Sequence, residues 1–218
     1  MCIRVIIRRS YKRNYSTMNP FDTVHEFERQ IAEYTGAPFA TATDCCTHAL
    51  YMCLHWHKQR MGIQHIVLPK NTYVSVAMQA IHLGLNLQFE QINWSGAYDI
   101  GNTNVVDGAA RLYKDCYQPG KQQCLSFQFK KILSTVRGGM ILTDDKKFYD
   151  WCQRAVHDGR DMNVAYEQDT ITFAGWHYFM TPETAELGLA RLQLLADYNK
   201  DCAGDWTYPD ISYVKDFE

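Results

Sequence analysis

No apolar run in the 218 residues is long enough to span a bilayer, so nothing here calls for a transmembrane helix. Charge of one sign is scarce as well. Lysine and arginine total 22 against 24 acidic residues, and a net charge of −2 sets up no field to draw in nucleic acid or an anionic membrane. The eight cysteines form no CxxC pair and no regular framework. A chain of this size needs no disulfide staples, so they read as the reduced thiols of a cytoplasmic protein. Cys53 and His57, four apart on one helical face, lack the second ligand pair that a zinc site needs. Acidic residues are absent from Met1 to Asn19, which carries Arg4, Arg8, Arg9, Lys12 and Arg13. This basic start has several readings: a transit peptide, a disordered arm, an edge strand through Val5-Ile-Ile7, or residues ahead of a true start at Met18.

What is present suffices for one sizeable core, with 46% hydrophobic and 13% aromatic residues. One α/β domain is expected over residues 20–200, followed by a tail over 201–218 that reads as surface or as a strap onto a partner. Thr23 and Glu26 suggest a capping box, with Val24, Phe27, Ile31 and Tyr34 on one face and Gly36 as the stop. Phe39 to Thr43 reads as a strand, Thr47 to Met61 as a helix, and His65 to Leu68 as a strand ended by Pro69. A helix from Tyr73 to Leu83 and a strand from Asn86 to Ile92 follow. Short strands are expected near Asp107, Phe127 and Thr143, then a helix from Lys146 to His157. Thr181-Pro182-Glu183 opens the last helix, with Ala185, Leu189, Leu192 and Ala196 as its apolar face. Strands alternating with helices call for a three-layer α/β/α fold with a mostly parallel sheet, whose ligands bind beyond the carboxyl ends of the strands.

The segment Cys124-Leu-Ser-Phe-Gln-Phe-Lys-Lys-Ile-Leu-Ser-Thr-Val-Arg-Gly-Gly-Met-Ile-Leu-Thr143 reads as strand, lysine-bearing turn, strand. A lysine just past a buried strand is partly stripped of water, which favours the free amine that attacks a carbonyl. Paired lysines after a strand are more often a solvated loop, so other stretches must decide. Val105-Val-Asp-Gly-Ala-Ala110 ends a short strand on a carboxylate, a place from which an aspartate pairs with a pyridinium nitrogen. Thr43-Asp-Cys-Cys-Thr-His-Ala-Leu50 leads a strand into a helix whose free N–H groups suit a phosphate. Lysine, aspartate and anion-binding helix start are the three fixtures pyridoxal 5′-phosphate needs.

Seven segments in order then resemble the DegT/DnrJ/StrS family of pyridoxal-phosphate-dependent sugar aminotransferases. They are Phe27-Glu28 with Tyr34-Thr-Gly36, Cys46-Thr-His-Ala-Leu50, Pro69-Lys-Asn-Thr-Tyr-Val-Ser75, Val106-Asp-Gly-Ala109, Ser126-Phe-Gln-Phe-Lys-Lys-Ile-Leu133, Gly138-Gly139, and Met180-Thr with Ala185 and Gly188-Leu-Ala-Arg-Leu192. The resemblance implies an aspartate aminotransferase-like (fold type I) large domain. It implies that Lys131, five residues after Ser126, holds the cofactor as a Schiff base, with Lys130 pointing to the opposite side. Asp107 would pair with the pyridine nitrogen and Tyr73 would stack on the ring. Thr47 and His48 would offer backbone N–H groups and a hydroxyl to the phosphate, joined by Ser126 from the side, and His177 would reach the phosphate of a second subunit in a homodimer. The implied reaction moves an amino group, from glutamate, to a nucleotide-linked keto-sugar.

Departures from the family pattern stand beside these matches. Ala110 replaces a Gln or His, Phe179 replaces an Arg, and a helix and strand are lacking between Ile100 and Asp107. The family's small C-terminal domain is expected to be missing too. Two alternatives therefore stay open: a non-catalytic or regulatory relative that keeps the fold and dimerises, and a pyridoxal enzyme acting on a different amine or carbonyl substrate.

Overall fold

A computed structural model describes residues 19–217. In chain order the elements are α1 (Asp22–Thr35), β1 (Phe39–Thr43), α2 (Cys46–Met61), β2 (His65–Pro69), α3 (Val74–His82), β3 (Asn86–Glu90), β4 (Tyr98–Asp99), β5 (Val105–Asp107), β6 (Gln122–Ser126), β7 (Gly139–Thr143), α4 (Lys146–Ala155) and α5 (Pro182–Leu192). The expectations for the basic segment fall, Asn19 apart, outside the described residues. No helix among the described residues is long and apolar enough to cross a membrane.

Strand alternation assigns the two helical layers. On β6 and β7, Cys124 and Ile141 point to a cluster built from α2, α3 and α4, including Leu50, Leu54, Ala77 and Phe148. Their neighbours Leu125, Met140 and Leu142 point the other way, to Val24, Phe27 and Ile31 of α1 and Ala185 of α5. The sheet runs β1-β7-β6-β5-β4, and β2 pairs with β3 beside it. Reciprocal backbone hydrogen bonds between Val67 and Gly101, of 3.2 and 2.9 Å, tie the two parts together. Gly101 allows this approach, since a Cβ there would lie 2.6 Å from Val67 Cβ. Tracing the pairings across the sheet, β1, β6, β5, β2 and β3 run one way and β4 and β7 run against them.

The interval lacking a helix and strand is closed by a hairpin. Ile100 N–H donates to Val105 O at 2.9 Å, Asn102 turns the chain at φ 65°, and β4 pairs antiparallel with β5. Tyr98 thus comes directly opposite Asp107.

Local sequence explains most element ends. Gly36 and Gly62, at φ 76° and 68°, close α1 and α2 in the left-handed region that glycine adopts without strain. Asp145 caps α4 by accepting from Lys147 and Phe148 N–H, and Thr181 caps α5 by accepting from Thr184 N–H. The capping box at Thr23 and Glu26 does not form. Asn19 turns the chain earlier, its side-chain oxygen accepting from Phe21 N–H at 3.0 Å and its carbonyl from Asp22 N–H at 2.9 Å. Phe21 is therefore an N-cap without side-chain bonding, and Glu26 pairs with Arg29 instead. Buried Glu28 serves the free edge of β1, accepting from Ala42 N–H at 2.7 Å.

From Asp197 onward the chain lies back along itself as a strap. Arg111 grips Asp201 at 2.7 Å, Cys202 N–H donates to Ala110 O, and Ile211 N–H donates to Lys70 O. Ile211 and Phe217 are buried in the α2–α3 cluster.

His157, just past α4, is buried between Phe21 and Phe179, with ring centroids 4.9 and 5.1 Å away. Burial first, then the neighbouring His25, His177 and Arg160, pull its pKa down from 6.5 to about 4 against the opposing pull of Asp158. The ring is thus neutral when folded and readily protonated when unfolded. Its contribution to stability is complete above pH 6.5 and is lost as pH falls towards 4, by up to about 1.4 kcal/mol per pH unit. Urea midpoints measured across this window should fall more steeply in the native chain than in His157→Phe. Parallel slopes would refute this account.

Candidate functional site

A cavity of about 670 Å³ opens at the carboxyl ends of β5 and β6 and the start of α2. Thr47, Tyr73, Asp107, Ser126 and Lys131 all line it. His48 and His177 do not.

Asp107 forms the buried end. Its Oδ1 accepts Ala109 N–H at 2.9 Å and its Oδ2 accepts Tyr98 O–H at 2.9 Å. Burial prevails and raises its pKa, while the Ala109 amide, the Tyr98 hydroxyl and the charge of Lys131 pull it part of the way back. Lys131 is half-buried on the turn after β6, its N–H bonded to Gln128 O at 2.8 Å. Lys130 also borders the cavity but is exposed, its ammonium 5.5 Å from the Phe129 ring centroid.

The helix start is left open. Cys45, the N-cap of α2, places no side-chain acceptor on the first amides, which border the cavity with Cys46 and Thr47. Thr47 Oγ1 lies 3.0 Å from Ser75 Oγ, which brings two hydroxyls to the same end. Gly139 makes this packing feasible, because a Cβ on it would stand 2.5 Å from Cys45 C and Cys46 N. Tyr73 stands at the mouth, 56% exposed, with its ring 6.2 Å from that of Tyr208. Uncapped amides and hydroxyls at one end, a carboxylate at the other and a lysine between fit a flat phosphorylated heteroaromatic aldehyde.

The ring of His48 is engaged elsewhere. It stacks on Tyr178 at 3.7 Å and its Nδ1 lies 2.6 Å from Asp44 Oδ1. Burial lowers its pKa, but hydrogen bonds to Asp44 and Cys45 prevail and raise it to about 9. The i,i+4 carboxylate on the preceding turn holds the ring, while the His48 backbone N–H stays in the first turn of α2. His177 sits at the surface, its Nδ1 2.8 Å from Asp158 Oδ2.

Asp44, Cys45 and His48 are the one trio among the described residues close enough to share a metal ion. Arg137 lies on Asp44 Oδ2 at 2.7 Å and His48 Nδ1 on Oδ1 at 2.6 Å, so both carboxylate oxygens already have a partner. Cys53 meets Cys124, with sulfurs 3.6 Å apart, and neither ring nitrogen of buried His57 has a partner.

Sequence reading missed Tyr98, Trp94, Arg137 and Tyr208. Arg137 adjoins the glycine pair and could have been suspected from it. Tyr98 is in a two-residue strand, and Tyr208 comes from the strap with no local signal at all. Asn71 Nδ2 donates to Tyr208 O at 3.0 Å, and the Trp94 and Tyr208 rings stack at 5.9 Å. The strap thereby walls the cavity.

A model of the DegT/DnrJ/EryC1/StrS aminotransferase family matches residues 7–98 and 108–206. The break in the match falls on the β4–β5 hairpin. GDP-perosamine synthase of Escherichia coli O157:H7 is 35% identical over 222 residues, covering 80% of this chain and 58% of that protein. The enzyme of the same name from Caulobacter vibrioides is 25% identical over 218 residues, covering 79% and 57%. The chain thus spans somewhat under three fifths of the length of these curated relatives, 58% and 57%. Among solved structures, the sugar aminotransferase CalS13 from Micromonospora echinospora shares the fold with a TM-score of 0.63 at 17% identity, over 78% of this chain and 60% of that one.

Proposed function

The chain belongs to the DegT/DnrJ/EryC1/StrS aminotransferase family, and from that premise we propose that it is a pyridoxal-phosphate-dependent aminotransferase passing an amino group from glutamate to a nucleotide-linked keto-sugar. The observation that carries this reading is the gathering of Lys131, Asp107 and an uncapped helix start around one cavity. The curated relatives are named for a GDP-linked amino sugar, so a GDP-linked keto-sugar is the acceptor to try first.

When bound, the cofactor supplies an aldehyde to carry the amino group and a ring to accept electrons. The chain supplies the rest. The amine of Lys131 would hold the aldehyde carbon and, once a substrate amine has displaced it, would take the proton from the substrate Cα as general base and deliver it as acid to the carbon that had carried the aldehyde. Asp107 keeps a negative charge beside the ring nitrogen. The first amides of α2, with the hydroxyls of Thr47 and Ser126, take the phosphate. Tyr73 covers one ring face. A homodimer completes the site, with His177 turned towards the other copy.

A second reading, a regulatory member that pairs with a longer enzyme, draws on the hairpin that stands where the family match breaks. A third, an enzyme for another amine or carbonyl, draws on the exposed mouth with Tyr73, Phe129 and Val136 at its rim. Absorbance of the purified chain with pyridoxal phosphate separates the three. A band near the visible edge that glutamate shifts, followed by amination of the keto-sugar, is the expected result. A band that ignores glutamate favours the third reading. No band, with copurification of a longer homologue, favours the second.

A further inference from the structure

Tyr98 belongs to none of the motifs that mark the family, yet among the described residues it makes the one side-chain hydrogen bond to Asp107. Its hydroxyl lies 2.9 Å from Asp107 Oδ2 and 2.6 Å from Thr72 Oγ1, and all three residues are buried. A phenol has one proton to give. Beside an ionised Asp107 that proton goes to the carboxylate, so Thr72 must donate to the phenol oxygen and the row runs Thr72 to Tyr98 to Asp107. Ala109 N–H occupies Oδ1, so each carboxylate oxygen has one protein donor and a lone pair to spare.

Resting on the reading that this cavity holds pyridoxal phosphate, we propose that Tyr98 is a positioning residue that keeps Asp107 ionised and oriented for the protonated ring nitrogen of the cofactor. The hairpin makes this contact, setting Tyr98 opposite Asp107 in the β4–β5 register. The other groups facing Asp107 are Lys131 after β6, Cys46 on α2, Cys124 on β6 and Tyr208 on the strap. Burial pushes both thiols well up and raises Tyr208 to about 12, so these three stay neutral around pH 7. Lys131 is thus the only cation in the set. Burial, reinforced by Asp107, also holds the Tyr98 proton in place well beyond neutrality, so it remains a donor.

The test begins without cofactor, by carbon NMR of the full chain labelled at its aspartate carboxyls, with Asp107 assigned through Asp107→Asn. Tyr98→Phe should raise the Asp107 midpoint by about one unit, a tenfold change in ionisation, and Thr72→Val by less. Affinity for pyridoxal phosphate should then drop about tenfold, while affinity for an analogue with carbon in place of the ring nitrogen holds steady. An unmoved midpoint overturns the proposal. So does an equal loss for both ligands, which is the mark of a merely structural tyrosine. Failure of the cofactor reading has a separate signature: the native chain binds neither ligand, yet the Asp107 midpoint still moves in Tyr98→Phe.

Discussion

Lys131→Ala is expected to abolish the absorbance band of bound pyridoxal phosphate and to cut transamination by roughly a hundred- to ten-thousandfold, the usual worth of a positioned acid–base group. The covalent hold disappears as well, so borohydride should no longer fix the cofactor to the chain. The fold should survive, because the Lys131 side chain is only half-buried and belongs to neither core cluster. Lys130→Ala is the matched comparison. It borders the same cavity, but it is exposed and its ammonium lies over Phe129. Peptide mapping after reduction should find the label on Lys131 in the native protein. Label on Lys130, or an undiminished band in Lys131→Ala, would remove the chemical basis of the proposed reaction.

Phe27→Ala should be the most damaging single truncation for stability, at about 3–5 kcal/mol. The side chain is wholly buried, packs on Phe127 at 5.3 Å, and fills the crossing of α1 over α5. Gly188 permits that crossing, since a Cβ there would come within 2.5 Å of the Phe27 ring. With so close a fit the helices cannot collapse to refill the space, which places the cost towards the upper end. Against a total stability of about 5–15 kcal/mol for a domain, such a loss leaves little margin. Guanidinium unfolding monitored by circular dichroism measures it. A cost near 1 kcal/mol would show that α1 and α5 repack freely.

Much of this architecture was legible because it is written locally. Gly36 and Gly62 stop helices where the left-handed turn is needed, and Thr181 with Pro182 opens α5. The cavity residues Asp107 and Ser126 end strands, and Thr47 and Lys131 come a few residues past strand ends, so their convergence follows once the strands are neighbours. What stayed hidden depends on partners distant in the chain or on close competition. The His48 ring went to the carboxylate of Asp44, four residues back, and Thr23 lost its cap to a turn begun at Asn19. Tyr98 acquires meaning only when the hairpin folds it onto Asp107. The strap carries no periodicity at all. Its path is fixed by scattered contacts: backbone bonds to Lys70 and Ala110, the Asn71 side chain on Tyr208 O, the Arg111–Asp201 pair and the burial of Ile211 and Phe217.

That path has a consequence for biosynthesis. Asn71 and Tyr208 are 137 positions apart, and translation runs from one to the other, so a nascent chain displays Lys131 and Asp107 well before the residues that wall them off are made. Cofactor loading during synthesis would meet an unroofed groove, whereas loading after release meets a finished chamber.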